Sequence, residues 1–419
     1  MKVLWITNIL FPEAAAVLTG NKELKSSGGW MLGSASRMAC RSDVELYVAT
    51  VSPLVERLTR IDGEKIIFYV LPLGKGNSKI NPEYQKYWIS INNELCPDVV
   101  HIHGTESSHG HAFMQSCGSN NVVISIQGMT STSHRYYYDG MTQCDIYKNL
   151  TIRDLFKGTI LKGQRNFKRS SEYELDMIRM AKHVIGRTSW DRAKTWAINP
   201  DIQYHFCNET LREEFYDGSL WSYDSCTPHS IFISQASYPI KGLHQLLKAM
   251  PLILRSYPNT VVRVAGYNPT ETTTILKKLK LTGYGRYLIR MIQKYKLENH
   301  IVFLGPLNAS QMKKEFLMSN VFISPSSIEN SPNSLGEAQI LGVPCISSYV
   351  GGAMDMMEGN EENLYRFEEI EMLAFKVCRI FDNIDKHFNL AEWAQIRHDS
   401  KQKDEKLYNI YKKIIDREL

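Results

Sequence analysis

The sequence predicts an α/β protein built from two doubly wound domains that face each other across a cleft. The chain has 419 residues, more than one ordinary hydrophobic core accommodates. Short apolar runs typical of β-strands alternate with helical patterns in the first half, and the second half repeats this alternation. Several runs are apolar on both faces, as buried parallel strands are.

The strands and helices follow one another in regular order along each half. In the first half, strands are predicted at 2–7, 44–50, 65–73, 98–104, 122–128 and 183–188, with helices near 30–41, 82–95, 109–118 and 171–182. In the second half, strands are predicted at 229–234, 260–266, 300–305, 320–325 and 343–348, with helices near 242–256, 272–297, 309–318 and 333–342.

A polar, turn-rich stretch at 207–230 marks the domain boundary. We therefore predict an N-terminal Rossmann-like domain at 1–225 and a second one at 226–400. The amphipathic tail 401–419 is predicted to be a helix that packs back on the N-terminal domain. Such sheets bind ligands at the carboxyl ends of their strands, where the motifs of this sequence fall.

The bulk composition favours a cytoplasmic protein that does not bind nucleic acid. The net charge of +5 fits a local basic patch better than a general nucleic-acid surface. The eight cysteines are scattered without metal-binding spacing, which indicates reduced thiols. The N-terminal run is too short for a signal peptide, and no apolar run reaches the length of a membrane span.

The stretch SPSSIENSPNSLGEAQI places two glutamates on either side of a helix start. The backbone N–H groups of Asn333, Ser334 and Leu335 would form an anion site suited to a phosphate. Glu329 before the helix and Glu337 within it could each accept hydrogen bonds from sugar hydroxyls. A nucleotide sugar has this layout, because its diphosphate lies between the hydroxyls of the sugar and those of the ribose. The alternative is that Glu329 is a surface loop charge and Glu337 an ordinary helix-start charge.

Two further features favour a phosphate ligand. The glycines of SSGGW, Gly28 and Gly29, would let backbone N–H groups approach a phosphate closely, although the motif could also be a plain helix entry. A dinucleotide site is disfavoured because G-x-G-x-x-G is absent. Lys241 opens a predicted helix, where a cation is unfavourable unless an anion is near.

Taken in order, these strings resemble the retaining GT-B glycosyltransferases of family 4. The resemblance rests on SSGGWMLG, PDVVHIHG, IKGLHQLLKAM, VVRVAGYN, IVFLGPL, the E-x7-E spacing and GVPCISSYVGG, and it extends over most of the chain. It is closest to bacterial members that build capsule, O-antigen or exopolysaccharide. The resemblance implies an enzyme of class EC 2.4, of the hexosyltransferase type. Such an enzyme moves a sugar, with retention, from a nucleoside diphosphate sugar to a hydroxyl of a glycan, here one expected to be lipid-linked.

The resemblance also implies roles for individual residues. Gly28, Gly29 and Lys241 would contact the donor diphosphate. Gln235 stands about where the family has an arginine that binds phosphate, which leaves one phosphate cation in question.

The expected acceptor side also departs from the family. Gln127 replaces a histidine that the family often has near the reacting sugar, and His134 could substitute for it. His103 ends a predicted strand, where a histidine is either structural or catalytic. Glu329 is expected to act on the transferred sugar, so its replacement should leave the affinity for free nucleotide unchanged. Glu337 is expected to hold the ribose.

No D-x-D pair occurs in the sequence, so we expect a donor such as a UDP- or GDP-sugar to bind without a metal or other cofactor. Two other function classes remain open. One is a different GT-B-like enzyme, an epimerase or phosphorylase. The other is a non-catalytic nucleotide-sugar-binding component of a polysaccharide assembly complex.

Residues 151–169 combine apolar and basic side chains in a helical pattern. They predict either a basic amphipathic helix on an anionic membrane surface, at the inner face of the cell membrane, or an ordinary surface helix.

Overall fold

The computed structural model describes residues 1–21, 29–73, 82–382 and 390–416. The chain divides into two compact units. The first unit comprises residues 1–132, 167–210 and 398–419, and the second unit comprises 133–166 and 211–397. The predicted ranges of 1–225 and 226–400 differ from this division, because a segment from the first half of the chain belongs to the second unit and the chain re-enters that unit at residue 211.

The first unit is an eight-stranded sheet in the order β3-β4-β2-β1-β5-β6-β7-β8. Its strands are β1 Lys2–Thr7, β2 Glu45–Ser52, β3 Thr59–Asp62, β4 Ile66–Pro72, β5 Val99–His103, β6 Val122–Ser125, β7 His183–Gly186 and β8 Gln203–Phe206. All neighbours pair in parallel except β3 and β4. The sequence pattern did not predict β3 and β8, which are the two edge strands and have partly exposed side chains.

The second unit is a six-stranded parallel sheet in the order β11-β10-β9-β12-β13-β14. Its strands are β9 Ser230–Ile233, β10 Val261–Ala265, β11 Ile301–Gly305, β12 Val321–Ser324, β13 Cys345–Ser348 and β14 Leu364–Tyr365. Every residue of β9, β12 and β13 is buried, as expected of central strands covered by helices on both faces.

Helices connect the strands in both units. In chain order they are α1 Pro12–Thr19, α2 Gly29–Ala39, α3 Pro82–Leu95, α4 Ser108–Cys117, α5 Thr130–Ser133, α6 Gln143–Lys148, α7 Ile152–Lys157, α8 Ile160–Met180, α9 Ser189–Ile198, α10 Leu243–Ser256, α11 Ile275–Lys280, α12 Gly283–Tyr295, α13 Ala309–Met318, α14 Asn333–Ile340, α15 Ala353–Met356, α16 Ile370–Phe381, α17 Leu390–Arg397 and α18 Ser400–Asp416. Within the described residues, none is both long and apolar enough to cross a bilayer.

The C-terminal helix α18 packs into the first unit. Its Leu407, Ile410, Tyr411 and Ile414 are buried in the same apolar cluster as side chains of β1 and β2. The Tyr411 hydroxyl accepts a hydrogen bond from Trp5 Nε1 at 2.9 Å and contacts His101 Nδ1 at 2.6 Å. These contacts join the two ends of the described sequence within one core.

Residues 133–166 are held in the second unit by the burial of Met141 and Ile146 in its apolar core and by side chains that bond backbone carbonyls of the segment. His244 Nε2 donates to the Asp139 carbonyl at 2.8 Å, and Arg290 donates to the Lys148 carbonyl at 2.8 Å. Within this segment, the single helix predicted over 151–169 is divided. Gly158, with a φ of 89°, ends α7, and α8 begins two residues later.

Candidate functional site

The candidate site of the second unit lies at the switch point of its sheet, where the direction in which successive strands are added reverses. The chain passes from β9 to β10 on one side of β9, whereas β12 pairs with the other side of β9. In open α/β sheets, the loops at such a switch point diverge and leave a crevice beyond the carboxyl ends of the strands. The loop after β9 carries Gln235 and Lys241, and the loop after β12 carries Glu329.

The two loops are joined by an ion pair between predicted site residues. Lys241 Nζ donates to Glu329 Oε1 at 2.5 Å, and Ser326 Oγ donates to the same oxygen at 2.7 Å. Lys241 and Glu329 are mostly buried, with 22% and 16% of their side chains exposed. Burial lowers the pKa of Lys241, but the Glu329 carboxylate and the Tyr238 hydroxyl raise it more, so the net pKa lies above its usual value. A fixed cation therefore stands at the crevice.

Glycines allow these loops to pack without side chains. Gly242 has a φ of 69°, and a Cβ there would lie 1.7 Å from the Pro325 carbonyl oxygen. A Cβ on Gly351, which follows β13, would lie 1.8 Å from the Glu329 carbonyl oxygen. The Gly352 N–H donates to that same carbonyl at 3.0 Å. The backbone of the Glu329 loop is thus held from two sides.

Serines complete the support of the loop after β12. The Ser327 N–H donates to the Ile240 carbonyl at 2.8 Å, and Ser348 Oγ donates to the Ser326 carbonyl at 2.5 Å. These bonds fix the loop relative to the Lys241 turn and to β13. Preorganised polar groups of this kind suit a site that stabilises developing charge.

Helix α14 begins one residue later than Pro332, which occupies the N-cap position and has no side-chain oxygen with which to cap the helix. Asn333 and Ser334 form its first turn, so their backbone N–H groups lie at the positive end of the helix. The N–H of Leu335 instead donates to the Pro332 carbonyl at 3.0 Å. The prediction that three amides bind a phosphate stays a prediction, and the Leu335 N–H already has a backbone partner in this structure.

Glu337 has a different partner from Glu329. It is buried in α14. Arg212 donates two hydrogen bonds of 2.6 Å to its carboxylate, from Nε to Oε1 and from Nη2 to Oε2. Burial raises the pKa of Glu337, and the bonds from Arg212 oppose that shift only in part. The arrangement orients the carboxylate and neutralises its charge, which leaves it able to accept further hydrogen bonds.

The structure places His134 in the second unit rather than in the first. His134 begins a 3₁₀ turn, His134–Tyr136, whose Tyr136 carbonyl accepts a hydrogen bond from Ser327 Oγ at 2.8 Å. The turn therefore packs on the Glu329 loop. Gln235, at the carboxyl end of β9, makes a long contact of 3.4 Å with Ser237.

The remaining predicted residues belong to the first unit. His103 is buried at the end of β5, where its ring stacks on His101 and contacts Trp5 at a tilt, with ring centroids 3.7 Å and 4.4 Å away. Burial, followed by repulsion from His101, Lys403 and Arg187, holds its pKa well below the usual value, so this histidine is neutral. Such packing fits the structural alternative.

Gln127 follows β6, and its buried Nε2 has no hydrogen-bond partner within the described residues. Gly29 begins α2, whereas Gly28 lies outside the described residues.

Sequence reasoning missed several residues of this site. Arg212 lies in the turn-rich stretch interpreted as a domain linker, and nothing in its neighbours indicates a buried carboxylate partner. Ser326, Gly351 and Gly352 stand in the strings that carry the family resemblance, but no role was assigned to them. Among the described residues, no three His, Cys, Asp or Glu side chains are grouped as a metal site requires.

Comparison with known proteins shows which family the second unit resembles. Residues 227–397 match the family described as "Glycosyl transferases group 1". The phosphatidylinositol N-acetylglucosaminyltransferase gpi3 subunit of Schizosaccharomyces pombe is 25% identical over 189 residues, which cover 45% of this chain and 38% of that protein. The chain thus matches less than half the length of the curated relatives. The matched region is a glycosyltransferase domain.

Solved structures show the fold of the whole chain. Sucrose-phosphate synthase from Thermosynechococcus elongatus has a TM-score of 0.70, with 15% identity and 99% coverage of both chains. S. aureus TarM, in a complex with fondaparinux, alpha-GlcNAc-glycerol and UDP, has a TM-score of 0.60 at 11% identity, covering 98% of this chain and 99% of that one. The fold is therefore GT-B, with two Rossmann-like units, as the sequence predicts.

Proposed function

We propose that the chain is a retaining glycosyltransferase. It transfers a sugar from a nucleoside diphosphate sugar to a hydroxyl of a lipid-linked glycan during synthesis of a surface polysaccharide. The observation that carries this proposal is the Lys241–Glu329 ion pair at the switch point of a matched glycosyltransferase domain. A fixed cation and a fixed carboxylate side by side suit a substrate that joins a diphosphate to a sugar.

The donor is a UDP- or GDP-sugar held by the second unit, and the acceptor binds the first. Lys241 and the α14 N-terminus bind the diphosphate, and Glu337 accepts hydrogen bonds from the ribose. The UDP in the TarM complex supports a uridine nucleotide as the first donor to test.

Reaction begins as the bond between the anomeric carbon and the diphosphate oxygen breaks. Lys241 stabilises the negative charge that develops on the leaving group, and Glu329 stabilises the positive charge on the sugar. The acceptor hydroxyl attacks the same face, and its proton passes to a leaving phosphate oxygen. These steps need no metal and no covalent enzyme intermediate, so retention follows from the geometry of the leaving group.

Thermal-shift measurements with UDP-, GDP-, ADP- and CDP-sugars test the donor class. We expect one nucleotide series to raise the melting temperature of the parent and to lose most of that shift in Lys241→Ala. The Glu315→Gln variant is the matched control, because Glu315 forms a similarly buried ion pair with Arg263 in the same unit.

NMR of the first-formed product then tests the stereochemistry, and the donor configuration should be retained. Clean inversion, or no shift with any nucleotide sugar, would contradict the proposal.

A further inference from the structure

Helix α7 presents its polar side inward and its apolar side outward. Asp154 is buried, and with Thr151 it forms a capping box in which each side chain bonds the other residue's backbone N–H. Leu155 and Phe156 are 75% and 83% exposed, and Ile152 is also exposed. A helix of a soluble surface shows the reverse pattern.

Helix α11 lies beside α7 and has the same exposed character. The Thr151 hydroxyl donates to the Leu281 carbonyl, just after α11, at 2.8 Å. None of the six residues of α11 is buried, and Ile275 and Leu276 are among the most exposed apolar side chains of the described residues. Two adjacent helices of one unit therefore expose a shared apolar surface, which a protein surface rarely leaves uncovered without a binding role.

Exposed lysines flank this apolar surface. Lys157 ends α7, and Lys278 and Lys280 lie on α11. Lys277 is already paired with Glu271. Exposed apolar groups flanked by lysines complement a bilayer interface with anionic headgroups, where the apolar groups enter the acyl boundary and the lysines remain among the phosphates.

The first turn of α8 does not share this character. Its Ile160 and Leu161 pack against the apolar core of the second unit, and its Lys162 and Arg165 point to solvent. This is the ordinary surface helix that the sequence left open. Within 151–169 the exposed apolar groups are confined to α7, whose neighbour α11 is distant in sequence.

We propose that α7 and α11 together form a docking surface for an anionic lipid bilayer. The six apolar residues that enter the interface are Ile152, Leu155, Phe156, Ile275, Leu276 and Leu279. The surface deepens the proposed function, since it would bring the second unit to the membrane that holds a lipid-linked acceptor. Vesicle binding needs neither donor nor acceptor, so it fails or succeeds independently of glycosyl transfer.

Vesicle co-sedimentation tests the surface. The parent should sediment with vesicles of phosphatidylcholine mixed with phosphatidylglycerol, and much less with phosphatidylcholine alone. Leu155→Ser combined with Phe156→Ser should lower partitioning roughly tenfold or more, and Ile275→Ser combined with Leu276→Ser should act alike. Lys278→Glu should lower it about fivefold or more, the effect of one basic residue.

Two matched variants separate this surface from general stickiness. Phe375→Ser removes an exposed aromatic ring from α16, and Lys314→Glu reverses an exposed lysine on α13, both in the same unit. Both should sediment like the parent. All variants should keep the parent melting temperature and its shift with nucleotide sugar, which shows that the fold and the donor site are intact.

Several results would overturn the proposal. They are no sedimentation of the parent with anionic vesicles, equal losses in the surface and control variants, or equal binding to neutral vesicles. Light scattering identifies the competing occupant, a second copy of the chain. A parent dimer that the α7 variant dissociates, without vesicle binding, would assign the surface to self-association.

Discussion

Replacing Glu329 by glutamine is expected to tighten the binding of free nucleoside diphosphate. In the ligand-free protein Glu329 holds Lys241 and repels anions, so a diphosphate competes with it for the lysine. The neutral amide of Gln removes both effects. The sequence alone predicts an unchanged nucleotide affinity for this variant, and the ion pair changes that expectation. Turnover should fall, because the carboxylate that stabilises the sugar's positive charge is lost.

The magnitude follows from the exposure of the pair. Exposed ion pairs contribute about 0–1 kcal/mol, and hydrogen bonds to charged groups contribute about 1.5–3 kcal/mol. With 22% and 16% of the two side chains exposed, the Lys241–Glu329 pair falls between these ranges, at about 1–2 kcal/mol. Glu329→Gln should therefore raise diphosphate affinity roughly fivefold to thirtyfold, since 1.4 kcal/mol is tenfold.

Titration calorimetry with the diphosphate of the preferred donor measures the effect. Lys241→Ala should weaken binding by about 1.5–3 kcal/mol. In that background, Glu329→Gln should gain much less than it does alone, because the lysine is no longer there to be released. Glu315→Gln serves again as the control and should bind like the parent. Equal affinities for the parent and Glu329→Gln would refute the competition, and an unchanged Lys241→Ala would remove the lysine from the phosphate site.

Three further predictions follow from the same structure. Transfer activity should survive EDTA, and a complete loss restored by magnesium would contradict the expectation that the donor binds without a metal. Gly305→Ala, with a φ of 74° and no atom within 4 Å of the added Cβ, should cost about 1–2 kcal/mol of unfolding free energy. Gly242→Ala should cost about 2 kcal/mol more, because its Cβ meets the Pro325 carbonyl, and equal losses in urea unfolding would argue against that clash. Burial lowers the pKa of His244 to about 3. Between about pH 6.5 and 3, this histidine therefore binds a proton in the unfolded chain but not in the folded protein. His244 should then contribute about 1.4 kcal/mol per pH unit to a loss of stability that His101, His109 and His205 share, so His244→Gln should lessen the slope measured by urea unfolding by that amount, and an unchanged slope would contradict the prediction.

The central strands and the E-x7-E loop could be predicted from sequence, because burial on both faces and a helix start leave local patterns. The Arg212–Glu337 pair could not, since its partners are 125 residues apart and Arg212 lies among turn residues. The assignment of 133–166 to the second unit was also beyond reach. It depends on the burial of Met141 and Ile146 against residues far along the chain and on bonds such as that from His244 to the Asp139 carbonyl, and neither leaves a local pattern in the sequence.

The bond between Trp5 and Tyr411 affects the order in which the protein is completed during synthesis. Every residue of the second unit lies between these two in sequence, so that unit has left the ribosome before α18 emerges. We expect the six-stranded sheet to close first, while the core around β1 and β2 waits for its last helix. Until then the nascent chain exposes apolar strands of high sequence separation, the condition that favours chaperone binding and wrong strand pairing. Termination between residues 397 and 400 would leave the second unit folded and the first without its closing helix.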